Sequence, residues 1–195
     1  MLFWFGLTAG VLGIIGAVVW RRFAAALRTH RARVARGSQV VPSRFGQIEF
    51  ATLGHGAPVL IVHGAGGGFD QGLSAAGRLT DAGYQILAPS RFGYLRSSSP
   101  DDPSPEHQAD AFAELLDALH IRSIPVVGMS AGALATLQFA VRHPDRCRSL
   151  TVIVPAASAV MRAQGPLPEQ GPLAKAILEY VTKSDFLWWL GMKVA

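Results

Sequence analysis

The chain has a single cysteine, Cys147. That excludes an internal disulfide framework and fits a reducing compartment. Residues 1–36 contain no acid, against six arginines, and Leu2–Trp20 is nineteen residues without one charge. No basic patch interleaved with aromatics appears, so no nucleic-acid partner is expected. Repeats and low-complexity tracts are absent too, and no histidine follows His143. What is present is 195 residues, half of them hydrophobic, enough for one domain with a sizeable core. The formal charge of +5 is unevenly spread, because residues 37–195 carry twelve Lys or Arg against thirteen acids. The domain is near-neutral, and the high pI belongs to the N-terminal arm.

That arm is long enough to cross a bilayer, which takes roughly 20 apolar residues. A cleaved signal peptide is the competing reading, since Ala24-Ala25-Ala26 resembles a small-residue cleavage site. Against it, no Lys or Arg precedes the apolar run, and Arg21-Arg22 stand before those alanines. The expectation is therefore an uncleaved anchor (1–20) followed by a basic juxtamembrane helix or linker (21–37). The arginines all lie on the C-terminal flank, which places the domain on the cytoplasmic side. Phe23, Leu27, His30 and Val34 fall at helical spacing, so this stretch either lies along the anionic leaflet or is a solvated linker. Ala9, Gly13 and Ala17 give a weak small-residue face for helix pairing.

Gly37–Pro42 breaks the arm from the domain. Gln47–Leu53 alternates as an antiparallel strand, and Val59–Val62 is a continuous apolar run of the kind covered on both faces. A glycine-rich loop and a helix to about Ala82 follow, then a short strand at Tyr84–Ala88. Ser104 caps a helix with Pro105 in its first turn, striped by Ala109, Phe112, Leu116 and Leu119. Ile124–Val127 and Leu150–Val154 read as buried strands flanking a helix at Ala131–Arg142. Such alternation predicts an α/β fold, a mostly parallel sheet with helices on both faces. Ligands then bind beyond the carboxyl ends of the strands.

Two motifs sit at that edge. Gly128-Met129-Ser130-Ala131-Gly132 joins a strand to a helix, the context in which a G-x-S-x-G elbow presents a nucleophilic serine. His63-Gly64-Ala65-Gly66-Gly67-Gly68 follows another strand. Its N–H groups can turn toward a tetrahedral oxyanion, with Ala65 and Ala131 as expected donors and Gly66 as fallback. A phosphate loop is excluded, because no Gly-Lys-Ser/Thr follows. A dinucleotide fold is excluded too: the next strand runs into Pro89-Ser90-Arg91 without the required acid.

From about Ser38 onward the chain resembles the α/β-hydrolase family. The resemblance rests on His63-Gly64, on Ser90–Ser97, on the elbow, and on His143-Pro144-Asp145-Arg146. It implies Ser130 as nucleophile, supported by His63, Gly64, Gly128 and Gly132, within a core at 38–157. It also implies a cap beginning at Ser158 (158–195), beyond which the acid and histidine of the triad are expected. The available chain thus reads as the N-terminal two-thirds or so of a complete enzyme. Among its own histidines, His143 ends roughly 18 Å from the serine at 1.5 Å per helical residue, with Asp145 beside it. His120 and His55 lie at the same far edge. Only His63 and His107 share the catalytic side, where the resemblance makes His63 a brace of the loop, and His107 reads as a surface residue. Glu169, Glu179 and Asp185 fall in the expected cap. Trp188 and Trp189 line an acyl pocket, meet a membrane interface or form cap core, the last being preferred. The expected activity is hydrolysis of a small apolar ester-like substrate through an acyl-enzyme, with no metal or organic cofactor. The alternative is an inactive, truncated or degenerate module held at the membrane.

Overall fold

In the computed structural model, residues 2–156 and 171–194 are described. They form two compact units, residues 37–156 and residues 2–36 with 171–194. The larger unit holds a six-stranded sheet in the order β1-β2-β4-β3-β5-β6. Its strands are β1 (Gln39–Ser43), β2 (Gly46–Leu53), β3 (Ala57–Val62), β4 (Tyr84–Pro89), β5 (Ile124–Met129) and β6 (Cys147–Ile153). β1 and β2 run antiparallel, while β4, β3, β5 and β6 are parallel. The helices of this unit are α2 (Phe69–Ala76), α3 (Pro105–Ala118) and α4 (Ala133–Arg142).

Alternation along the strands separates two faces. Leu60, Val62, Leu87 and Val126 pack with Phe112, Leu116 and Phe139 from α3 and α4 in one buried cluster. Phe112 and Phe139 are fully buried, each contributing on the order of 2–3 kcal/mol. Ile61 points the other way, where Gly72 of α2 lies close to its carbonyl and to Ala88. Ser104 caps α3 as expected, its Oγ accepting from the His107 N–H at 3.4 Å.

Three expectations change. Gln39–Ser43, which overlaps the Gly37–Pro42 stretch assigned to a break, is an edge strand, and an edge is where a sheet tolerates Pro42. The segment Leu150–Val154, expected to be buried, leaves Val152, Ile153 and Val154 exposed, because β6 pairs only with β5 among the described residues. The helix expected to reach about Ala82 ends at Ala76 and passes into a 3₁₀ turn at Gly77–Leu79.

In the smaller unit, α1 (Leu2–Arg36) is one continuous helix. Nothing between Trp20 and Arg36 breaks it, since that stretch has neither Gly nor Pro. Its Gly10–Ala32 segment is long and apolar enough to cross a membrane. The expected cap falls partly outside the described residues (158–170), including Glu169. Its described part forms α5 (Pro172–Lys183) and α6 (Asp185–Val194). Phe186 of α6 packs edge-on against Phe23 of α1 and Trp189 packs tilted against it, with ring centroids 5.2 and 5.8 Å away. Asp185 faces Arg31 at 3.6 Å.

Candidate active site

Sheet register brings the two motifs together. Val62 of β3 pairs with Gly128 of β5, so the residues that follow each strand leave the same edge side by side. There the strand order reverses between β3 and β5, the crevice where open α/β sheets bind ligands.

Ser130 itself has φ +48°, a left-handed conformation that serine adopts at a steric cost. It is exposed, and a short 3₁₀ turn (Ser130–Gly132) leads from it into α4. Both flanking glycines are required by close approach. A Cβ on Gly128 would collide with the Thr136 side chain, and one on Gly132 with the carbonyl oxygens of His63 and Val62. The glycine loop comes equally near: a Cβ on Gly64 would stand 3.2 Å from Ser130 Cβ. The loop is pinned by the Gly64 N–H, which donates to Gln71 Oε1 at 2.8 Å.

His63 is fully buried, and its hydrogen bonds fix its tautomer. Nε2 accepts from the Arg91 N–H at 2.9 Å, so Nδ1 carries the proton and donates to the Gly64 carbonyl at 2.7 Å. Both nitrogens are occupied, which makes it a brace and not a base. Burial pushes its pKa down to about 4, outweighing the Gly64 carbonyl, which favours the charged form. A depressed histidine binds its proton more readily in the unfolded chain, so stability must fall with pH between the unfolded value of 6.5 and about 4. Between about pH 7 and pH 4.5 this predicts a loss of about 2 kcal/mol, read from urea midpoints. A midpoint that stays flat over that interval would contradict the buried neutral imidazole.

The loop after β4 clamps both motifs, a role the sequence did not reveal. The Arg91 guanidinium donates to the Gly64 carbonyl at 3.0 Å, to Tyr94 Oη at 3.2 Å and to the Ala131 carbonyl at 3.5 Å. Tyr94 Oη in turn donates to the Ala65 carbonyl at 3.1 Å, and its ring packs edge-on against His63. Underneath, the buried Glu49 carboxylate holds this loop. It accepts from Arg96 Nε at 2.8 Å, the Arg96 N–H at 3.1 Å, Ser90 Oγ at 2.8 Å and Ser38 Oγ at 2.6 Å. Burial alone would raise its pKa, but these donors outweigh that and hold it below the ordinary carboxylate range. The available clue was a lone acid, Glu49, inside an alternating strand.

Two further histidines are paired elsewhere. His107 Nδ1 sits 3.0 Å from Asp102, and His143 Nε2 sits 2.9 Å from Asp110 at the far end of α4. His120 closes α3 with φ +56°. Among the described residues no imidazole is hydrogen-bonded to the Ser130 hydroxyl, and no group of three or more His, Cys, Asp or Glu could hold a metal.

The chain has relatives among known proteins. Residues 57–182 match the family model described as alpha/beta hydrolase fold. The uncharacterized hydrolase YcgS of Bacillus subtilis is 34% identical over 107 residues, covering 55% of this chain and 37% of YcgS. Lipase 1 of Psychrobacter immobilis is 29% identical over 164 residues, covering 80% of this chain and 49% of the lipase. A solved alpha/beta hydrolase fold protein from Nakamurella multipartita superposes with a TM-score of 0.61 at 29% identity, covering 75% of this chain and 52% of that one. The chain thus spans about half or less of the length of the curated relatives it matches. With its family model, its strand order and its serine elbow in agreement, the chain belongs to the α/β-hydrolase fold family.

Proposed function

We propose that this chain carries the nucleophile and oxyanion hole of a membrane-attached serine hydrolase acting on an ester or related carbonyl. The observation that carries this reading is Ser130 at φ +48° on the β5–α4 elbow, with the Gly64 loop across from it. Ser130 Oγ attacks the carbonyl carbon, the C=O π pair moves to oxygen, and the Ala65 and Ala131 N–H groups hold the oxyanion, with Gly66 as the alternative to Ala65. Collapse expels the alcohol, leaving an acyl-enzyme that water hydrolyses to the acid. A base must take the serine proton and return it to the leaving alkoxide. The family resemblance gives that role to a histidine, and none of the six in this sequence is hydrogen-bonded to Ser130. A catalytically silent module is the second reading, and that same unpartnered hydroxyl favours it.

The uncharged Leu2–Trp20 run and the arginines that follow it, within a helix that passes the length and hydropathy test for a membrane span, support an N-terminal anchor with the catalytic unit on the cytoplasmic side. One fractionation tests both claims. Membranes from cells expressing the protein from its own gene are washed with alkaline carbonate, neutralised, blotted and assayed on p-nitrophenyl acyl esters. Protein and esterase activity are expected together in the pellet. Protein in the supernatant overturns the anchor, and inert protein in the pellet overturns the hydrolase.

A further inference from the structure

We infer that a small cavity beside the elbow is a binding subsite for a carboxylate group. The cavity, about 110 Å³, lies between the loop after β4, the first turns of α3 and the start of α4, lined by Arg91, Phe92, Pro105, Gln108, Ala131 and Leu134 among others. Two of these side chains carry a buried donor without a partner, Arg91 Nε and Gln108 Nε2. Gln108 is only 4% exposed, and its amide cannot be turned round. Its Oε1 accepts from the Phe92 N–H at 2.6 Å, so the oxygen is fixed and the NH₂ must be the end left over.

A buried N–H without an acceptor is destabilising, and two around one cavity mark the place of a missing acceptor. The charge specifies it further. Arg91 donates only to carbonyls and a phenol, and no carboxylate among the described residues lies within ion-pair distance of it. A guanidinium so enclosed is stabilised by an anion. The space admits a short acid, and the apolar walls of Phe92, Pro105 and Leu134 suit the carbon chain behind a carboxylate better than an inorganic oxyanion. Ala131 lines the cavity directly after Ser130, so the matching substrate is an ester that also bears a free carboxylate. That last step rests on the hydrolase reading; the binding itself does not.

The test is a titration of the full chain in detergent micelles with sodium propionate, following the arginine ¹⁵Nε–¹H resonances. Sodium chloride and propylamine serve as controls. A saturable shift of the Arg91 resonance in the low millimolar range is expected with propionate alone. Gln108→Glu keeps an oxygen for the Phe92 N–H but replaces the donor with a repelling acceptor, and it is expected to weaken binding at least about tenfold. No saturable shift in the unmodified protein, or the same shift with chloride, overturns the proposal. So does undiminished propionate binding in a folded Gln108→Glu protein. No turnover is needed, so an inert protein that binds propionate refutes only the hydrolase reading. An active esterase that ignores propionate refutes only the subsite.

Discussion

Replacing Ser130 with glycine is expected to stabilise the protein by about 0.5–1 kcal/mol while lowering ester hydrolysis on the order of 10⁵-fold or more. The two effects have separate origins at one residue. At φ +48° the serine Cβ crowds the following carbonyl, a cost of roughly 1–2 kcal/mol that glycine does not bear. Part of the gain is cancelled, because glycine loses more backbone freedom on folding. The hydroxyl is nevertheless the only atom there able to form the acyl bond. Ser130→Ala separates the terms, since alanine keeps the strain and loses the oxygen. It should be as inactive as the glycine variant and no more stable than the parent. Urea midpoints and p-nitrophenyl ester rates on the three proteins decide this. A glycine variant less stable than the parent would show that the elbow is not strained.

The largest loss of stability is expected from Gly132→Ala, about 3 kcal/mol or more, a large share of the 5–15 kcal/mol a domain usually has. The added methyl would meet the carbonyl oxygens of His63 and Val62. These are backbone atoms at the end of β3, held by the sheet, and no rotamer relieves the overlap. The start of α4 must move away from β3, carrying the Ala131 N–H with it, so fold and site suffer together. Gly128→Ala offers the contrast. Its methyl would run into the Thr136 side chain, whose Oγ1 bonds only the Ala133 carbonyl at 2.9 Å. Thr136→Ala should therefore recover part of the Gly128→Ala loss and none of the Gly132→Ala loss. Equal rescue of both would mean that β3 does not approach the elbow as described.

What was legible in the sequence follows from how far each signal reaches along the chain. β3, β4 and β5 are short apolar runs bounded by turns, the Ser104 cap is a four-residue pattern, and the elbow is five consecutive residues. Local chemistry specifies all of them. β1 was hidden because its alternation is weak and Pro42 argues against a strand until β1 is known to pair on one side only, with β2. Glu49 and Arg96 are 47 residues apart, and only the β2–β4 pairing brings them into contact. Arg91 likewise reads as one basic residue in a polar loop until β3, β4 and β5 converge. His63 was the intermediate case. Its place after a strand and before glycines indicated a brace, but its tautomer depends on the N–H of Arg91, 28 residues on. The exposure of Val152–Val154 was unreadable for a related reason, since an apolar strand looks the same whether or not anything covers it.

A serine hydrolase requires Ser130 to be an activated nucleophile, and covalent labelling addresses that directly. Membranes containing the protein as expressed from its own gene are treated with a fluorophosphonate, and the modified peptide is identified by mass spectrometry. One adduct is expected, on Ser130, absent from the Ser130→Ala protein and from heat-denatured samples. Folded protein that takes up no label, or takes it up on a different residue, would contradict it.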